Sequence, residues 1–120
     1  MRHLMGDDVL RRPVRVRGIE LGRTVDLILD RGMGRVVGLE VRCGDGVHRF
    51  LPAAAAEPFP DRIVVRSSFA LLDEGELDFY LRHGTSLTTL RREDPADVEL
   101  DEDWAVIGRV GGRNGDATGA

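Results

Sequence analysis

The sequence predicts an all-β protein: a small antiparallel β-barrel with one short C-terminal helix and an acidic, flexible tail. Three observations lead there. Apolar and polar residues alternate in short runs between Pro13 and Ser67, the period-two pattern of half-buried strands. Glycine turns, Gly32-Met33-Gly34 and Gly44-Asp45-Gly46, separate those runs, as hairpins require. Beyond Arg92 the charge balance changes: residues 1–92 hold 15 Arg against 13 Asp and Glu, net +2, and residues 93–120 hold 2 against 8, net −6.

Residues 1–12 read as a lead-in, with one helical turn around Asp7 to Leu10. A barrel-like domain is expected over 13–92 and the tail over 93–120. In Pro13 to Arg17 the pattern places Val14 and Val16 on one face and Arg15 and Arg17 on the other; proline is acceptable at a strand's first residue, where no ladder donor is needed. From Arg23 to Asp30, Val25, Leu27 and Leu29 share a face. From Arg35 to Cys43, Val37, Leu39, Val41 and Cys43 point inward, and Val36, Gly38, Glu40 and Arg42 outward. Gly38 in mid-strand marks a bulge or bend of the kind that closes a small barrel. Val47 to Leu51 is a fourth strand and Arg62 to Ser67 a fifth, with Ala53 to Glu57 a helical turn or surface connection between them. Asp73 and Glu76 have capping-box spacing ahead of Leu77, Tyr80 and Leu81, which predicts a helix over about 74–83 with Gly84 as its stop. Ser86 to Leu90 is read as a further short strand.

Composition narrows the function classes. The length of 120 residues suits one domain. No apolar run approaches the roughly 18 residues of a membrane helix, and the charged first ten residues do not form a secretory signal; a cytoplasmic protein without membrane insertion is expected. All 17 basic residues are Arg, with Lys and Gln absent. Coding bias and selection for bidentate anion contacts both account for that. A near-neutral body with an acidic tail is not the footprint of a protein that takes nucleic acid as its direct ligand.

The segment from Leu10 to about Arg66 resembles the PRC-barrel family. The residues that carry the resemblance are Leu21-Gly22-Arg23-Thr24-Val25-Asp26-Leu27-Ile28-Leu29-Asp30, Gly34-Arg35-Val36-Val37-Gly38-Leu39 and Arg49-Phe50-Leu51-Pro52, with Thr24 a one-residue departure from the tightest pattern. The resemblance covers about half the chain and its motifs are structural punctuation. It implies a barrel that docks proteins, as in the ribosome maturation factor and the H subunit of photosynthetic reaction centres. The dozen residues ahead of Pro13 suit neither the extra domain of the first nor the membrane helix of the second, so a small stand-alone member is expected.

No catalytic, cofactor or metal site is expected. His3, His48 and His83 lack ligand spacing. Cys43 is alone and reads as a small buried hydrophobe, Asp26, Asp30, Glu40 and Asp45 as solvated faces, and Ser67-Ser68 lacks a base. The glycine turns form no phosphate loop. Arg11, Arg12, Arg15, Arg17 and Arg23 form a basic cluster, and Trp104 with Val106 and Ile107 is an apolar spot in the polar tail. These arginines and Trp104 are the candidate partner contacts. The expected function is a non-enzymatic adaptor that binds a protein, with self-pairing as a further option and a ribosome-assembly role as the alternative.

Overall fold

The expected run of hairpins between Pro13 and Pro52 is present in the computed structural model, which describes residues 3–93 and 96–111. Its strands are β1 (Leu4–Met5), β2 (Pro13–Val16), β3 (Ile19–Leu29), β4 (Val36–Cys43), β5 (His48–Pro52), β6 (Glu57–Pro58), β7 (Ile63–Val64), β8 (Thr85–Ser86), β9 (Ala96–Leu100) and β10 (Val106–Gly111). The helices are α1 (Gly6–Val9), α2 (Glu74–His83) and α3 (Leu87–Glu93), with 3-10 turns at Ala53–Ala55 and Ser68–Ala70.

The architecture is mixed α/β with two open sheets, and the expected all-β barrel is not formed. One sheet runs β5-β4-β3-β2-β7-β6, with β8 on the end of β3; the other runs β1-β9-β10. Closure of a barrel needs the first and last strands to pair. Here the chain crosses over after Pro52, and β7 joins β2 in parallel, with Val14 opposite Ile63. The two ends of that sheet, β5 and β6, do not pair. The three-stranded sheet supplies the missing cover: Val98, Leu100 and Trp104 share one core with Val14, Leu27, Leu39 and Leu51.

That cover corrects the expectation of a flexible tail. Residues 96–111 form a hairpin whose first strand pairs with β1, Leu4 opposite Leu100. The lead-in segment is likewise built into the fold, Val9 being fully buried. The remainder of the expected tail, 112–120, lies outside the described residues.

Two bulges alter the expected facing. The β3–β4 register shifts between Thr24 and Asp26 and again between Ile28 and Leu29. The second shift turns Val36 into the core in place of Val37, which packs instead on the outer cluster of Ile28, Phe50 and Leu77. Leu39, Val41 and Cys43 face inward as the alternation indicates. Gly38 borders the second bulge, as its mid-strand position indicates, and its missing Cβ makes room as well: a Cβ there would collide with the Phe50 ring and stand 2.8 Å from the Leu51 carbonyl oxygen. Alanine normally stabilises a strand over glycine by about 0.5–1 kcal/mol. Gly38→Ala is expected to reverse that sign and cost about 1–3 kcal/mol by overpacking; urea denaturation checks it, and a gain in stability would contradict the packing.

Turns follow local chemistry. Arg17 and Gly18 both have positive φ, 53° and 82°, and the two-residue connection between Val16 and Ile19 fits the twist of its strands. In the Cys43–Val47 turn, Arg49 donates to both oxygens of Asp45 at 3.1 and 3.0 Å. That pairing, helped by the Val47 N–H, holds the Asp45 carboxyl below the usual carboxylate range.

Helix α2 spans the residues the capping box indicates. Asp73 accepts from the Glu76 N–H at 3.1 Å, and the Gly84 N–H ends the helix on the Tyr80 carbonyl at 2.8 Å. Tyr80 stacks on Phe50, with ring centroids 4.1 Å apart. Ser86 to Leu90 is not a strand beyond Ser86. Ser86 Oγ accepts from the Thr89 N–H at 3.2 Å and so starts α3.

Candidate docking surfaces

Two surfaces stand out, and the first is the ribbon of β2 and β3. Val14 enters the core and Val16 packs against it, so alternation sends Arg15 outward and the turn carries Arg17 to the tip. The ladder continues past β2: the Arg11 N–H donates to the Thr24 carbonyl at 2.6 Å and the Thr24 N–H to the Arg12 carbonyl at 3.0 Å. Arg11, Arg12, Arg15, Arg17 and Arg23 are thereby held on one two-stranded element. The charge is poorly balanced, since Glu20 is the one acid between Arg11 and Thr24. Glu20 accepts from Arg23 Nε at 3.2 Å and lies 3.9 Å from an Arg15 terminal nitrogen. Arg12 reaches the Phe59 carbonyl at 2.7 Å. The guanidinium groups of Arg11 and Arg17 have no partner among the described residues. Beside them Ile19 stands 65% exposed.

The second surface is a groove of about 770 Å³ between the Ala53–Pro58 segment and the loop ahead of β10. The alanines at 53–56, with Ser67 and Ala70, leave the space, and Arg35, Arg66, Glu57, Glu102 and Asp103 bring charges of both signs to it. Trp104 sits at its base. The structure places this residue apart from the arginine ribbon and buries it to 2% exposure. Its indole N–H donates to the Ala56 carbonyl at 2.8 Å. The loop is fixed from behind as well: Asp101 Oδ1 accepts from the Asp103 and Ala105 N–H groups at 2.8 and 3.0 Å, and the Val36 N–H donates to the Trp104 carbonyl at 2.8 Å.

Of the four acids of the hairpins, Asp45 is exposed as expected and Asp26 is not. Asp26 is 6% exposed, and it caps α3 from the neighbouring strand. Its Oδ1 accepts from the Thr88 N–H at 3.1 Å and its Oδ2 from the Thr88 hydroxyl at 2.7 Å. Asp30 bonds the Gly34 N–H at 2.8 Å, Glu40 pairs with His48 Nδ1 at 2.5 Å, and Asp45 holds Arg49. His3 pairs with Glu99 at 2.7 Å and His83 lies against Phe79. Among the described residues no group of three or more His, Cys, Asp or Glu is arranged to hold a metal ion. Cys43 is a free, buried thiol.

Sequence reasoning found the ribbon because its arginines are nearly contiguous. It missed the groove, whose walls come from three separated segments; the run of four alanines bounded by Pro52 and Pro58 was the available signal. Fold and surfaces together define a small α/β protein with one basic ribbon and one walled groove. No family model, curated protein or solved structure matches the chain. No helix among the described residues is long and apolar enough to cross a membrane.

Proposed function

We propose that this chain is a cytoplasmic protein-interaction module, an adaptor that docks an acidic protein surface through the β2–β3 ribbon. The observation that carries this reading is the set of five arginines on one braced hairpin, countered by the single carboxylate of Glu20, with Ile19 exposed at the tip. Arginine is enriched at the energetic centres of protein interfaces, and its planar fork takes carboxylates in bidentate fashion. Ladder pairing to Thr24 and the tight turn at Arg17-Gly18 hold the ribbon's backbone before any partner arrives, which lowers the ordering cost of binding. An exposed apolar residue ringed by charge supplies contact area where the charges supply steering. The ribosome-assembly alternative drew on a barrel, and the two open sheets give it no support.

The test is affinity purification of the tagged chain from its own cells, beside a variant carrying Arg17→Glu and Arg23→Glu. Both side chains are exposed, so the fold is expected to survive. Capture of the partner is expected to fall by about tenfold or more at low salt, and Arg82→Glu on the outer face of α2 is expected to leave it unchanged. Equal capture by the doubly reversed variant would contradict the reading.

A further inference from the structure

We propose that the groove over Ala53–Ala56 binds a zwitterionic ligand of short-peptide size, one that presents a carboxylate and a protonated amine across a small apolar body. This site is separate from the arginine ribbon and does not depend on it. Three features of the groove carry the inference.

The groove is braced across its two sides. Trp104 joins its two sides through the 2.8 Å bond to the Ala56 carbonyl. It does so with a backbone φ of 68°, a left-handed conformation that is uncommon for a bulky residue. That conformation closes the β9–β10 hairpin, where the Trp104 N–H donates to the Asp101 carbonyl at 3.1 Å and the Asp101 N–H to the Ala105 carbonyl at 3.0 Å, and so fixes this side of the groove. The groove, about 770 Å³ and open to solvent, has room for a small ligand that stays partly exposed.

The lining is charged in both senses and unneutralised. Arg66, Glu57, Glu102 and Asp103 have no side-chain hydrogen bond or ion pair among the described residues, and Arg35 makes one long contact, 3.4 Å, to the Asp103 carbonyl. Two guanidinium groups suit a carboxylate, but three carboxylates on the same walls repel a polyanion. A purely cationic ligand would leave both arginines unanswered. A ligand bearing one charge of each sign meets an opposite charge on both kinds of side chain.

The remaining surface suits a small apolar body. Exposed Ala54, with the partly buried Ala55 and Ala70, lines the groove with methyl groups in place of bulk, while Ala53 and Ala56 are turned into the core. Phe69, between the lining residues Ser67 and Ala70 in sequence, is 90% exposed.

The test is a nuclear magnetic resonance titration of the full chain with trialanine, with N-acetyl-trialanine and with trialanine amide. Trialanine is expected to shift the Trp104 indole signal and the amides of Ala54, Ala55 and Ser67, with a dissociation constant in the millimolar range. Either blocked peptide is expected to bind at least about tenfold more weakly. Arg66→Ala and the groove-filling Ala54→Leu, both at exposed positions, are expected to weaken trialanine similarly while leaving the rest of the spectrum in place. If the three peptides bind alike, charge is not what the groove reads and the proposal fails. It fails equally if trialanine produces no shifts, or produces them on the arginine ribbon.

Discussion

Trp104→Ala is expected to remove a large share of the stability of this protein. The ring is enclosed among residues of both sheets, and replacing a buried Trp by Ala costs about 3–5 kcal/mol. Whole domains are stable by only about 5–15 kcal/mol. The loss reaches beyond the ring. Removing the indole N–H leaves the Ala56 carbonyl without its donor, and the hairpin of β9 and β10 loses the anchor that joins it to the Ala53–Pro58 segment. Two companions separate the contributions. Trp104→Phe keeps most of the apolar volume and is expected to cost about 1–3 kcal/mol, the penalty of the orphaned carbonyl together with some lost packing. Trp104→Gly is expected to be at least as stable as Trp104→Ala, because only glycine adopts the φ of 68° without a Cβ penalty of about 1–2 kcal/mol. Urea denaturation followed by circular dichroism measures all three. An alanine variant within about 1 kcal/mol of the natural chain would mean that the C-terminal hairpin does not help to close the core.

Leu39→Asp is expected to abolish folding. Leu39 is fully buried and lies between Leu27 on β3 and Leu51 on β5 in the register of the sheet. A carboxylate there has no charge partner in a wholly aliphatic setting, and an unpaired buried charge costs several kcal/mol after relaxation. Glu40→Lys, one residue further on, is expected to change stability by no more than about 1 kcal/mol. Its side chain points to the opposite face, where Glu40 pairs with His48 and stands opposite Asp26. A lysine loses the first contact and gains an acid across the ladder. The contrast tests the strand register, since a one-residue slip exchanges every side chain between faces. Circular dichroism on both variants checks it: a folded Leu39→Asp protein beside an unfolded Glu40→Lys protein would place β4 in the wrong register.

What could be read from the sequence divides along the range of the interactions. The β2–β5 hairpins, the Gly44-Asp45-Gly46 turn and α2 are specified by neighbours within a few residues, and alternation, turn chemistry and the Asp73–Glu76 spacing reveal them. The parallel pairing of β7 with β2 is non-local and leaves no periodic trace in two residues. The C-terminal hairpin failed for another reason. In Asp97-Val98-Glu99-Leu100 the acids alternate with two buried residues, a period-two strand signal outweighed by the count of negative charges. Charge was read as solvation, yet it marks the outer face of a strand whose inner face covers the core. α3 was misread because Thr88 and Thr89 favour strands by propensity, while Ser86 and the distant Asp26 supply its caps. For the docking surfaces the same division holds: the arginine ribbon is visible in a string of 13 residues, Arg11 to Arg23, and the groove exists only once residues 35, 53–70 and 102–104 have met.

The central structural claim is that residues 96–111 complete one core shared by two open sheets. Because the chain has a single tryptophan, the fluorescence of Trp104 in the unaltered protein reports on it directly. The expected result is blue-shifted emission that resists acrylamide quenching and moves to the red in one cooperative step with urea. Red emission in native buffer, quenched as readily as free tryptophan, would contradict the claim.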